Sequence, residues 1–174
     1  MKTLTLALLF AISCLAVNGS AADDLVQRDA VKLNLAGAET ILDAAKAKAD
    51  AMGLKVNIAV VDTGGHLLAF ARMDGARPAS SYTARSKAVT AALKLGDTGP
   101  TVRGDAPPDP RLNIAIENAA SMSGGTFTTL NGGVAIAVDG QIVGGIGVGG
   151  ATGAQDTEIG RAGLDALLQA LAGQ

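Results

Sequence analysis

The sequence is poor in the side chains that thiol, metal and stacking chemistry use. Its 174 residues include one cysteine, one histidine, no tryptophan and one tyrosine. The single cysteine, Cys14, excludes a disulfide within the chain. The single histidine, His66, excludes a zinc site built from two or more imidazoles. A formal net charge of −2 with so few aromatic rings also argues against nucleic acid as a partner, since nucleic acid is bound by basic patches and aromatic platforms.

Residues 1–22 have the pattern of a secretory signal peptide. Lys2 precedes an apolar run over residues 4–17, and small residues up to Ala22 precede two aspartates. The run is shorter than the roughly 20 apolar residues that span a bilayer, so we expect cleavage after residue 21 or 22 and no membrane span thereafter. The predicted product, residues 23–174, has the length of a single domain, and a periplasmic or secreted location is expected.

Apolar periodicity and turn signals predict the element order α-β-β-α-α-β-β-β-α, which is an α/β (α+β) fold whose sheet is at least partly antiparallel. Residues 96–110 are rich in glycine and proline and are expected to form a surface loop. The predicted helices begin near Leu35, Ser80, Arg111 and Thr152, and the five predicted strands include a short one at Phe127–Leu130.

The stretch from Gly132 to Gly163 holds the strongest local signals. Asp139 and Gly140 predict a hairpin turn, and the outgoing strand ends in glycines before a helix that Thr152 and Gln155 would cap. Backbone N–H groups at this helix start would lie beside acidic side chains, which makes the start the predicted binding site. The residues that we assign to it are Gly149, Gly150 and Asp156.

These residues also permit structural interpretations. The glycines are explained equally well by close packing of a helix on the sheet, and Asp156 by stabilisation of a helix N-terminus. Gly145 to Gly150 match G-x-G-x-x-G, but Asp165, at the spacing of a ribose-binding acid, lies inside the last helix and not on a second strand. We therefore exclude a dinucleotide site such as one for NAD.

His66 follows two glycines at the first predicted hairpin turn. It is interpreted either as a structural turn residue or as an axial metal ligand or proton-transfer group, since neutral imidazole serves both purposes at pH 7. Arg72 and Lys87 are either solvated charges or cations that hold a carboxylate together with His66. The sequence does not show whether these three side chains converge.

Three segments resemble the GlcG/HbpS family of haem-binding proteins. They are Val60–Ala76, Ser86–Leu93 and Asn131–Asp156, in the family's order and over nearly the whole predicted mature chain. The resemblance implies a profilin-like fold with a five-stranded antiparallel sheet, homo-oligomers, and haem binding that in some members extends to haem degradation or to redox and iron sensing. The chain departs from the family at Gly149, where a serine is usual, and in the loop 96–110.

Three functions follow as hypotheses. The first is an exported, homo-oligomeric haem-binding protein in which His66 reaches the iron and Arg72, Lys87 or the last helix start holds the propionates. The second is an enzyme or binding protein for a small organic acid, with His66 as general base and Lys87 or Arg72 on the carboxylate. The third is a structural exported protein without a small ligand. The residues do not decide between binding and turnover.

Overall fold

The computed structural model describes residues 29–100 and 106–173. These two ranges contain four helices and four strands, and a short 3-10 turn, Ser121–Ser123, follows the third helix. The predicted signal peptide, residues 1–22, lies outside them. In chain order the elements are α1 (Leu35–Ala51), β1 (Asn57–Asp62), β2 (Leu67–Arg72), α2 (Ser80–Lys94), α3 (Pro110–Ala120), β3 (Gly133–Val138), β4 (Gln141–Gly149) and α4 (Gly153–Ala172).

Local sequence signals account for several of these boundaries. Asp139 and Gly140 both adopt positive φ, at 50° and 74°, which is the geometry of the two-residue turns that join twisted antiparallel strands. Thr152 and Gln155 form the predicted capping box at the start of α4. Asp109 caps α3 by accepting hydrogen bonds from two backbone N–H groups of its first turn.

The sheet is fully antiparallel and has the strand order β2-β1-β4-β3. One face carries Ile58, Val60, Ile146 and Val148 into the main core, where they pack with buried residues of α1 and α4. The other face is covered by α2, whose buried alanines pack against Ala59 and Val61. The sheet is therefore a central layer between two layers of helices.

A fifth strand is not among the described elements, because Phe127–Leu130 is irregular there. Three of its backbone N–H groups, those of residues 128–130, donate to side chains. Thr128 N donates to Thr90 Oγ1 at 3.0 Å, and Thr129 N donates to Glu117 Oε1 at 2.9 Å. The predicted strand count was thus one too high, although the predicted antiparallel α+β architecture is confirmed.

The loop predicted for residues 96–110 is described only in part, since residues 101–105 fall outside the described ranges. Thr98 is buried and fastens the start of this loop to β3. Its backbone N donates to Gly133 O at 2.9 Å, and its Oγ1 accepts from Gly133 N at 2.7 Å. The loop begins along the exposed edge of the sheet, where it occupies hydrogen-bonding groups of that edge.

Residues Val31–Gln174 form one compact unit, and the structure describes only Asp29 and Ala30 of the chain before it. Within the described ranges, no helix has the length and apolar character required to cross a bilayer.

Candidate functional site

Alternate glycines of β4 bring α2 unusually close to the sheet. A Cβ at Gly147 would lie 2.0 Å from Ala84 O, and a Cβ at Gly145 would lie 2.2 Å from Ala88 O. Any side chain at either position would therefore collide with the backbone of α2. The glycines that resemble a nucleotide-binding motif thus serve helix packing, and the helix that they accommodate is α2.

This close approach buries a lysine of α2 against the end of β4. Lys87 Nζ donates to Asp156 Oδ2 at 2.7 Å and to Val148 O at 2.7 Å, and the two ionic side chains are only 5% and 2% exposed. Asp156 Oδ1 also accepts a 3.2 Å hydrogen bond from Ala151 N. A Cβ at Gly132 would lie 2.9 Å from Lys87 Nζ, so glycine at this position leaves room for the ion pair.

The buried pair forms part of the wall of a cavity of about 560 Å³, here called the polar cavity. Arg77 stands on another side of it, just before α2, and Gly153 lines it at the first position of α4. Ser80 accepts a 3.0 Å hydrogen bond from Arg77 Nε, while Asn57 Nδ2 donates to Arg77 O at 3.0 Å. Both contacts hold Arg77 in place beside the cavity.

The electrostatic character of the polar cavity is cationic. Its wall contains two basic side chains, Arg77 and Lys87, and one acidic side chain, Asp156. The positive end of the α4 dipole adds to this charge through Gly153, because the first backbone N–H groups of a helix lack acceptors within it. The arrangement is suited to a small anion.

The structure brings together three of the six site residues predicted from the sequence. Lys87, Gly150 and Asp156 line the polar cavity. Gly149 is buried next to it, but a Cβ there would lie 2.6 Å from Thr83 Oγ1, so its open side faces α2. Arg72 is exposed on the edge strand β2, two strands away from Gly149 across the sheet. The ligand-binding role of these residues remains a prediction.

His66 lies at the other end of the sheet. It follows the β1–β2 turn beside Asp62, which pairs with Gly144, whereas the polar cavity adjoins β4 at Gly149. Gly144 and Gly149 are five residues apart along the extended strand β4, which is a distance of about 17 Å. Within the described part of one chain, His66 and Asp156 therefore lie at opposite ends of the sheet, contrary to the convergence on which the first two hypotheses relied.

The His66 side chain is 83% exposed and lies 3.3 Å from Asp62 Oδ1, measured from its Nδ1. Asp62 Oδ1 also accepts backbone hydrogen bonds from Gly64 at 2.8 Å and from His66 at 2.9 Å. Partial burial opposes ionisation of Asp62, but these backbone bonds and the nearby imidazole outweigh it, so the pKa of this carboxyl is lowered. His66 is thus attached to a well-formed turn with its ring in solvent.

A second cavity, of about 530 Å³, lies between α2 and the segment that includes α3 and the 3-10 turn; we call it the apolar cavity. Its walls are mainly apolar, with Lys94 and threonine hydroxyls among the lining groups. Ligand cavities of 300–1,000 Å³ with apolar walls and a few polar groups are typical sites for organic cofactors. The apolar residues that line it are Ile116, Ala119, Ala120, Met122 and Phe127.

Sequence reasoning missed Arg77 and the whole apolar cavity. Arg77 could have been noticed in the sequence because it directly precedes Pro78 and the start of a helix. Capping does not require a basic side chain at that position. The signal for the apolar cavity was the amphipathic pattern of α3, which has apolar residues at 112, 116, 119 and 120. Neither signal specifies which other elements complete the cavity.

Comparison with known proteins agrees with this architecture. A family model described as "Haem degrading protein HbpS-like" matches residues 33–165. Protein GlcG of Escherichia coli K12 is 39% identical over 113 residues, which cover 64% of this chain and 76% of GlcG.

Two solved structures have similar folds. A double mutant of HbpS from Streptomyces reticuli is 31% identical, with a TM-score of 0.66 over 90% of this chain and 98% of that one. A PduOC:heme complex is 25% identical, with a TM-score of 0.64 over 78% of this chain and 95% of the PduOC chain. Because the family model spans most of the sequence and the fold agrees, the chain belongs to the HbpS-like family.

Proposed function

We propose that this chain is an exported haem-binding protein and that the apolar cavity receives the ring. The supporting observation is the cavity itself, which combines apolar walls, a volume of about 530 Å³ and a lysine in its lining. A haem ring requires apolar contact over its faces, and Lys94 offers a cation for a propionate. Membership of the HbpS-like family and the similarity to a PduOC:heme complex support haem as the ligand.

The iron ligand is a separate question with two candidates. Met122 lines the cavity, and its thioether is a known type of axial haem ligand. His66, the ligand predicted from the sequence, is at the β1–β2 turn and does not line this cavity. The cavity assignment therefore favours Met122, whereas a ring bound by the exposed His66 would lie outside the cavity.

Haem titration followed by the Soret band tests the location. Ala119→Trp would fill the apolar cavity from exposed helix α3, and we expect it to weaken haem binding at least tenfold. Ala115→Trp is the matched control, because Ala115 is an exposed residue of the same helix that does not line the cavity. Equal affinities for these two variants would place the ring elsewhere.

Two further variants separate the iron ligands. If the ring lies in the cavity, Met122→Ala changes the Soret position and His66→Ala leaves it unchanged. The reverse result would support His66 as ligand and overturn the cavity assignment. Lys94→Ala is expected to weaken binding a few-fold without changing the spectrum, since it contacts a propionate and not the iron.

We also propose that the protein forms homo-oligomers through α3 and the turn after it. Ile114 is 61% exposed and Met122 is 90% exposed, so apolar side chains of this region lack cover in the single chain. Light scattering after size-exclusion chromatography measures the mass, and Ile114→Glu is expected to lower it to that of a monomer. An unchanged mass for that variant would contradict this interface.

Export remains a prediction from residues 1–22. Expression of the full chain in a Gram-negative host, followed by fractionation and N-terminal sequencing, should give a periplasmic product that begins at residue 22 or 23. A cytoplasmic product that retains Lys2 would refute it.

A further inference from the structure

We propose that the polar cavity is a second ligand site, distinct from the haem site, and that it binds small carboxylates. The inference does not depend on haem binding, because the two cavities share none of their lining residues. Two cationic groups face this cavity, and each leaves part of its hydrogen-bonding capacity unused.

The buried ammonium group of Lys87 has one N–H without an acceptor. An ammonium group carries three N–H donors, and Lys87 uses two of them, on Asp156 Oδ2 and Val148 O. No described residue accepts the third, although Lys87 is only 4% exposed as a whole residue. A buried donor without a partner is costly, and an oxygen of a ligand in the adjoining cavity would satisfy it.

Arg77 presents a second set of donors. Its Nε is engaged by Ser80 Oγ, and its two terminal nitrogens have no hydrogen-bond partner among the described residues. A guanidinium held by Nε presents its remaining donors as a fork, which matches the two oxygens of a carboxylate. Because Asp156 already neutralises Lys87, Arg77 supplies the excess positive charge that an anionic ligand needs.

Asn131, in the wall of the polar cavity, also bears on which functional groups a ligand carries. Asn131 and Gly153 narrow the cavity, since a Cβ at Gly153 would lie 2.8 Å from Asn131 Cβ. The Asn131 amide offers both a donor and an acceptor, so a hydroxyl or carbonyl next to the carboxylate would find a partner. The ligand class is therefore a carboxylate with a neighbouring oxygen, of which small hydroxy acids are the simplest members.

The arrangement also revises the organic-acid hypothesis. In that hypothesis His66 was the general base for an acid that Lys87 or Arg72 held. The cavity places Arg77 with Lys87 and leaves His66 and Arg72 outside the set of lining residues. The site accordingly binds the acid without His66 as a general base.

Thermal unfolding of the haem-free protein tests the site, with sodium acetate, sodium lactate and neutral acetamide as probes at constant ionic strength. A ligand of the folded state raises the melting temperature in proportion to the logarithm of its concentration. We expect acetate and lactate to raise it and acetamide to have no effect. An equal rise with acetamide would overturn the proposal.

Two arginine variants test the position of the site. Arg77→Ala should weaken lactate binding at least tenfold, as measured by calorimetric titration. Arg72→Ala is the matched control, because this arginine is exposed like Arg77 but lies outside the cavity lining, and we expect a change of less than twofold. Similar losses in both variants would mean non-specific attraction of anions, and no loss in either would likewise reject the site.

Discussion

The Lys87–Asp156 pair gives the sharpest test of how the structure is held together. Replacing Lys87 by methionine keeps most of the side-chain volume and removes the charge. The carboxylate of Asp156 would then stay buried with a single remaining described hydrogen bond, from Ala151 N. Removing one partner of a buried pair costs about 3–5 kcal/mol, because the other charge is left without compensation.

This cost is large against the total stability of a domain. Typical free energies of unfolding are about 5–15 kcal/mol, so a fifth or more of the stability of Val31–Gln174 would be lost. For a domain of this size, each kcal/mol lowers the melting temperature by about 2–4 °C. Lys87→Met should therefore melt about 6–20 °C below the parent protein in a scan followed by circular dichroism.

Two further variants make the result specific. Lys46→Met removes an exposed pair with Asp43 on α1, whose side chains are 39% and 73% exposed, and should change stability by less than about 1 kcal/mol. In the double variant Lys87→Met/Asp156→Leu the buried charge is gone, and most of the lost stability should return. A loss below about 1 kcal/mol for Lys87→Met, or a double variant no more stable than the single one, would refute the reasoning.

The remaining predictions concern packing and pH. Gly147→Ala should destabilise the protein by about 1–3 kcal/mol in urea unfolding, because its Cβ would meet the α2 backbone; Gly96→Ala, with nothing within 4 Å of its Cβ, is the control and should stay within about 0.5 kcal/mol. Asp62 has a lowered pKa in the folded state, so its stabilising effect is present above its unfolded pKa and is lost as pH falls through the folded pKa. The stability difference between the parent and Asp62→Ala should accordingly shrink as the pH falls, and a difference that stays constant or grows would contradict this assignment.

Much of the fold was predictable because its signals are local. The turn at Asp139 and Gly140 and the cap formed by Thr152 and Gln155 depend on residues within four positions of one another. Such contacts form in the same way in many tertiary settings, so the residue types suffice to predict them. The predicted strand at Phe127–Leu130 failed because its backbone partners are the side chains of Thr90 and Glu117, which are distant in sequence.

The candidate site was predictable only as a list of residues. Lys87 and Asp156 were both proposed as ligand residues, but they are 69 positions apart, and no sequence pattern indicates that each neutralises the other. For His66, in contrast, the sequence suggested a grouping that the structure does not show. It belongs to a segment that resembles the family, yet strand register places it about 17 Å along the sheet from the residues with which it was grouped.

The glycines of β4 and the buried ion pair are two consequences of one packing arrangement. Gly145 and Gly147 have no side chains, so the backbone of α2 can lie directly on the sheet. At that depth Lys87 reaches the carbonyl oxygen of Val148, which belongs to the sheet itself. A larger residue at Gly145 or Gly147 would push α2 away from the sheet and withdraw the ammonium group of Lys87 from Val148 and Asp156. The polar cavity would then change although no residue of its wall had been substituted. The glycine-rich strand therefore acts on the candidate site through the position of a helix, even though Gly145 and Gly147 do not line the cavity.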